Sequence, residues 1–220
     1  MERAEAKIVL SSQATAMPTV ITDYDGGSRE DHFVRLSGVT WQDYERLLEI
    51  RGEKSVPRYT YLEGELEIMS PARTHEWIKS IIGCLVEVWC LARDIEFTTL
   101  GSWTLTNEEA ERGAEPDECY VFGSDYRNAT RPHLAIEVVW THGSINKLEV
   151  YRMLGVREVW YWSRGNIQPY ELVDEQYQAI DASKVLAGIN LRELARFIDS
   201  PSTSHAIREY RKALTGGSSP

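Results

Sequence analysis

The stretch Glu115-Pro116-Asp117-Glu118-Cys119-Tyr120-Val121-Phe122, then after a polar loop His133-Leu134-Ala135-Ile136-Glu137-Val138-Val139-Trp140, then Asn146-Lys147, decides how this chain is read. Leu134, Ala135, Ile136, Val138, Val139 and Trp140 form an apolar run of strand length, and Glu137 sits in its middle. An ionised carboxylate in a low-dielectric interior either takes up a proton or finds a cation, so Glu137 calls for a partner. Residues 123–132 are rich in Gly, Ser, Asp, Asn and Pro and read as a connecting loop. If the flanking strands pair as a hairpin, Asp117 near the start of one lies beside Glu137 near the end of the other. Two carboxylates converging at a strand end make a hard-oxygen site suited to Mg²⁺ or Mn²⁺, with the backbone carbonyl of Val138 and waters completing the shell. Lys147 enters from the first turn of a helix predicted over 145–154, within reach of a metal-bound water or a phosphate oxygen. The alternative for the same residues is a buried ion-pair triad that fixes strand pairing. Two acids and one base leave one negative charge over, which favours a metal cation.

Further pieces surround this stretch. They are Tyr61-Leu62-Glu63-Gly64-Glu65-Leu66 with Met69-Ser70-Pro71, His75 opening a long helix, and Lys147-Leu148-Glu149-Val150-Tyr151 followed by Gly155-Val156-Arg157-Glu158-Val159-Trp160. With Pro116-Asp117 and Ile136-Glu137-Val138 in order between them, the chain resembles the Uma2 family over roughly residues 40–175. That resemblance implies an α/β (α+β) fold with a restriction endonuclease-like, PD-(D/E)XK core: a mixed central β-sheet flanked by helices. It implies Asp117 and Glu137 as metal-ligand carboxylates, Lys147 as the active-site lysine, and Glu65 and His75 as additional site residues. It also implies a metal-dependent endonuclease whose partner is nucleic acid, namely DNA. Read as bare residues, Glu65 is a hairpin surface charge and His75 a hydrogen bonder at a helix start. Two departures from the parent pattern stand out. The position two after Glu137 is Val139 rather than lysine, and Thr141-His142-Gly143-Ser144 replaces the usual Ser-Pro-Ser after the Glu strand. The competing function is a catalytically inactive nuclease fold serving as a binding or assembly module, as a homodimer or as the partner of another factor. The missing Glu-X-Lys lysine and the acidic balance favour it, and an exposed aromatic edge at Trp160 or Trp162 would favour it further.

A chain of 220 residues is long enough to bury a core without metal or disulfide staples. The division expected is a flexible lead-in over 1–32, one nuclease-fold domain over 33–200, and a C-terminal helix with a disordered tail over 201–220. Cys84, Cys90 and Cys119 form neither a Cys-x-x-Cys pair nor an even framework, which points to reduced thiols in a cytoplasmic protein. No signal peptide or membrane-spanning run is recognised. A net charge of −10 opposes any reading in which the whole surface embraces nucleic acid. A local basic face has candidates in Arg127 and Arg131, and in Arg208, Arg211 and Lys212. No Gly-rich phosphate loop, Gly-x-Ser-x-Gly or His-Glu-x-x-His is present, which disfavours P-loop, serine-esterase and zinc-protease chemistry.

Along the chain, Thr40 with Asp43 three residues later predicts a capped amphipathic helix. Residues 59–69 alternate around Glu63-Gly64 as a hairpin. A long helix is expected over 74–92, with Ile78, Ile81, Ile82, Leu85, Val88 and Trp89 on its apolar face. Two β pieces are expected over 95–99 and 102–106, with 107–113 charged and exposed. The Glu137 strand, the helix behind Lys147 and a strand over 157–162 make a βαβ unit, so the two strands should run parallel. A hairpin turning near Asp174 and two short helices, over 191–198 and 205–214, complete the chain. Seven tryptophans are many, and Trp140, Trp160 and Trp162 are assigned mostly to the core.

Overall fold

A strand over Leu134–Val138 that is buried on both faces sets the architecture. The computed structural model describes residues 20–23, 31–140 and 145–216. Its strands are β1 (Val20–Asp23), β2 (His32–Ser37), β3 (Arg58–Leu62), β4 (Glu65–Ser70), β5 (Phe97–Thr99), β6 (Leu105–Asn107), β7 (Arg112–Ala114), β8 (Glu118–Phe122), β9 (Leu134–Val138), β10 (Glu158–Ser163), β11 (Asn166–Val173) and β12 (Gln176–Ala179). Its helices are α1 (Trp41–Arg51), α2 (Arg73–Leu91), α3 (Lys147–Leu154), α4 (Leu191–Ala195) and α5 (Thr203–Gly216).

The expected mixed sheet is present, in the order β12-β11-β10-β9-β8-β5. Within it β9 and β10 are parallel and the other pairs antiparallel. The crossover between the parallel strands is α3, which ends at Gly155 with φ 68°, the left-handed position that favours glycine. Along β9, Leu134, Ile136 and Val138 join the cluster built on α2, α4 and α5. Ala135 packs on the opposite face with Val150, Tyr151 and Val159. Glu137 shares parity with Ala135, so it points toward α3.

A second six-stranded sheet, entirely antiparallel and in the order β1-β2-β4-β3-β7-β6, was not foreseen. The β3–β4 hairpin forms as expected, turning through Glu63 at φ 45° and Gly64 at φ 88°. Both of its outer edges then find partners, because an unpaired edge leaves a row of N–H and C=O groups unsatisfied. The two expected β pieces after α2 separate: β5 joins the mixed sheet and β6 the antiparallel one. Helix α1 is capped by Thr40 and Asp43, which bond reciprocally, and packs Trp41 and Tyr44 on Tyr59, Tyr61 and Leu66.

Residues 112–114 correct the expectation of an exposed charged segment: they form β7 and are buried. Arg112 is accommodated because its guanidinium donates to the Ala110 carbonyl at 2.6 Å and pairs with Glu63 at 2.8 Å. Gly113 lies so close to α1 that an added Cβ would come within 2.2 Å of the Tyr44 hydroxyl oxygen.

At the C-terminus α5 lies on α2 and buries Ala206 and Tyr210 in the main core cluster. Of the lead-in expected over 1–32, residues 1–19 and 24–30 lie outside the described residues, and β1 pairs with β2. Residues 141–144 and 217–220 also lie outside them, including the loop after the Glu strand and nearly all of the expected tail. No helix among the described residues is long and apolar enough to cross a membrane.

Candidate active site

Antiparallel pairing of β8 with β9 puts Glu118 opposite Ile136. Continued by one residue, that register sets Asp117 opposite Glu137 on the α3 face of the mixed sheet. Both carboxylates are buried, at 0% and 1% exposure. Asp117 Oδ2 accepts the Val138 N–H at 2.7 Å. Val138 thus meets Asp117 through its backbone amide.

Helix α3 supplies both partners of Glu137. Lys147 Nζ lies 2.6 Å from Oε2, and the Tyr151 hydroxyl donates to Oε1 in a short hydrogen bond. Lys147 and Tyr151 are four residues apart, so one turn carries both to the same face. Burial pushes the Glu137 pKa up to about 7, with the Asp117 charge adding to the effect and Lys147 opposing it. Burial disfavours the ammonium of Lys147, but Glu137 and Asp117 outweigh that and hold its pKa above the usual lysine value.

Asp117 has cations of its own. Arg58, at the start of β3, donates to Oδ1 at 2.5 Å, and its other terminal nitrogen donates to Glu76 on α2 at 2.7 Å. His75, from the first turn of α2, places Nε2 2.8 Å from Oδ2 at ion-pair range, without the alignment of a hydrogen bond. Its Nδ1 meets Asp31 Oδ2 at 2.7 Å, and Asp31 Oδ1 accepts the Ala72 N–H. Burial opposes the charge on His75, yet Asp117 and Asp31 prevail and raise its pKa to about 9. Burial alone would raise the pKa of Asp117, but His75 and Arg58 hold it well below the usual carboxylate range.

The structure thus brings Asp117, Glu137, Lys147, His75 and Val138 together. Glu65 stands apart, exposed at the hairpin end of β4, where it accepts the Ser37 hydroxyl at 2.8 Å. Arg127 and Arg131 belong to the loop that joins the far ends of β8 and β9, away from the carboxylates. Trp160 and Trp162 are buried, at 0% and 6% exposure, so neither offers the exposed aromatic edge that would have favoured an assembly module.

Beside Lys147 opens a cleft of about 180 Å³, lined by Asp31, Phe33, Glu67, Val138, Trp140 and Tyr161 among others. Two carboxylates and a peptide carbonyl are the right donors for Mg²⁺ or Mn²⁺. As placed, however, they do not fit one. Each carboxylate oxygen already has a protein partner, and three of the groups around them are cations: Arg58, His75 and Lys147. Among the described residues no group of three or more His, Cys, Asp or Glu is spaced to hold a metal. The negative charge that sequence reasoning left over is met by Arg58 and His75.

The model of the Uma2 family, described as "Putative restriction endonuclease", matches residues 41–197. The chain belongs to the Uma2 family. Among solved structures, a "putative nuclease belonging to DUF820" from Anabaena variabilis is similar at 15% identity, covering 76% of this chain and 96% of that one, with a TM-score of 0.43. A comparison with curated proteins finds no match.

Three residues of the candidate site escaped sequence reasoning: Tyr151 and Arg58 as partners of the carboxylates, and Asp31 as the partner of His75. Tyr151 carried a usable signal, since it lies one helical turn beyond Lys147. Arg58 and Asp31 carried none, because their partners lie 59 and 44 residues away and only the tertiary fold joins them.

Proposed function

We propose that this Uma2 protein is an endonuclease that hydrolyses DNA phosphodiesters at the Asp117–Glu137–Lys147 constellation. The observation that carries the reading is the position of Lys147: its side chain lines the cleft while its ammonium is held 2.6 Å from Glu137. A phosphodiester in that cleft would meet a lysine kept charged by two carboxylates behind it. Glu137, gripped by Lys147 and Tyr151, fixes where that charge stands, and a preorganised charge is worth more than a mobile one. The family resemblance implies Mg²⁺ or Mn²⁺ as cofactor, and such an ion would supply an acidified water and charge neutralisation. Because the carboxylates as placed do not fit the ion, the roles assigned are those of the chain's own side chains.

The test is cleavage of supercoiled plasmid and of single-stranded DNA, with Mg²⁺ or Mn²⁺ present, by the wild type and by Lys147→Ala. The variant should lose on the order of 10²-fold or more in rate, the scale for deleting one preorganised electrostatic contact. A folded Lys147→Ala protein that cleaves as fast as the wild type would refute the assignment.

The second reading is a nuclease fold kept as a nucleic-acid-binding or assembly module, active as a homodimer. What favours it is the complete pairing of both carboxylates within the chain. Concentration-dependent association, together with no cleavage by the wild type on either DNA form, would decide for it.

A further inference from the structure

We propose that Arg58 is the built-in counter-ion of the Asp117–Glu137 pair, so that a divalent cation and the Arg58–Asp117 ion pair exclude one another. The proposal rests on the reading of Asp117 as a cation ligand. Arg58 is buried, at 4% exposure, and its Nη1 stands 2.5 Å from Oδ1 of a carboxylate that is itself 0% exposed. A metal ion bonding that oxygen must take the place of the guanidinium nitrogen.

The two sides of Asp117 are unequal. Oδ2 is held by the amide of Val138, a residue of the mixed sheet, and by His75. His75 has no second place to go, because its other ring nitrogen is fixed on Asp31 and both residues are buried. Arg58 does have one. Its Nη2 already donates to Glu76 Oε1 at 2.7 Å, and the Glu76 side chain is 40% exposed. A guanidinium released from Asp117 would keep a carboxylate partner at the surface, where water can solvate it. Arg58 is therefore the group that yields, and its strength of attachment sets how readily the ion enters.

The measurement is calorimetric titration of Mn²⁺ into the full-length wild type, Arg58→Gln and Arg58→Gln/Asp117→Asn. Arg58→Gln should bind Mn²⁺ about tenfold or more tightly than the wild type, within the ordinary range for coupling between two ligands. The added Asp117→Asn should abolish that gain. Equal affinity in wild type and Arg58→Gln, or a gain that survives Asp117→Asn, would overturn the proposal. Removing one partner of a buried ion pair also destabilises, so thermal melting is followed in parallel. Mn²⁺ should raise the midpoint of Arg58→Gln more than that of the wild type and leave the double variant unmoved. Equal rises in all three would count against it as well. Failure of the nuclease reading looks different. If Arg58→Gln gains Mn²⁺ through Asp117 while no Lys147-dependent cleavage is found, the counter-ion stands and the nuclease falls; the reverse pattern removes Arg58 alone.

Discussion

His75 shows what a single residue contributes to this site. It lies between Asp31 and Asp117 with both ring nitrogens against carboxylates, which is an arrangement for an imidazolium. Its pKa is raised from 6.5 to about 9, so the folded chain holds the proton more tightly than the unfolded one does. The stabilisation is complete below about pH 6.5 and is lost as pH rises through about 9, and its size is at most about 3 kcal/mol. Urea unfolding of the wild type and of His75→Gln should show this directly. The stability advantage of the wild type should shrink by that order between about pH 6 and pH 9.5. A difference that stays constant across that span would mean His75 is neutral in the folded state and that Arg58 alone compensates Asp117. Tyr151 is a cleaner case because it does not titrate in this range. Tyr151→Phe removes the hydroxyl from Glu137 and leaves one buried carboxylate oxygen unpaired, which should cost about 1–3 kcal/mol in the same assay. If Tyr151→Phe unfolds at the wild-type urea concentration, that hydrogen bond is not contributing.

At the scale of elements, the parts that sequence made legible are those whose signal is local. Thr40 and Asp43 marked the start of α1, and the glycine after Glu63 marked the turn of β3–β4. The apolar run from Leu134 to Trp140, interrupted by Glu137, marked β9, while the face its carboxylate takes came from the structure. The capping box makes a direct test. Thr40→Ala loses the side-chain acceptor for the Asp43 N–H and should cost about 1 kcal/mol in thermal or urea unfolding. No measurable loss would mean that tertiary packing of Trp41 and Tyr44 holds α1 without its cap. What stayed hidden are elements whose burial depends on distant partners. β7 reads as a surface segment because Arg112 dominates it, whereas the carbonyls of residues 110 and 111 together with Glu63 and Glu149 make that charge tolerable inside. The second sheet was hidden for the same reason, since β3 meets β7 about fifty residues further along the chain. The carboxylates and lysine of the site were readable from spacing, whereas Arg58 and Asp31 were not, because the pairs they form exist only once the two sheets stand side by side.

For the whole molecule the question is how far the core extends beyond the segment that resembles the family. The Uma2 match ends at residue 197, yet α5 begins at Thr203 and seats Ala206 and Tyr210 in the same cluster as Ile82, Trp89 and Cys90 of α2. Tyr210 is 1% exposed, and its ring centroid lies 5.3 Å from that of Phe197. Losing a buried aromatic of this kind costs about 3–5 kcal/mol, a large share of the stability of an ordinary domain. Deletion of residues 201–220 should therefore lower the urea midpoint substantially although it removes nothing from the carboxylate site. Cysteine labelling gives the local readout. Burial pushes the thiols of Cys90 and Cys119 up to about 12, so both should resist alkylation near pH 8 in the intact fold and react once it is denatured. Cys90 packs under α5, while Cys119 lies on β8 of the mixed sheet. In the truncated chain Cys90 should become reactive while Cys119 remains protected. If both stay protected and the urea midpoint is unchanged, α5 is an appendage on a core that is complete without it. If both react together, the mixed sheet cannot hold its own fold without the C-terminal helix.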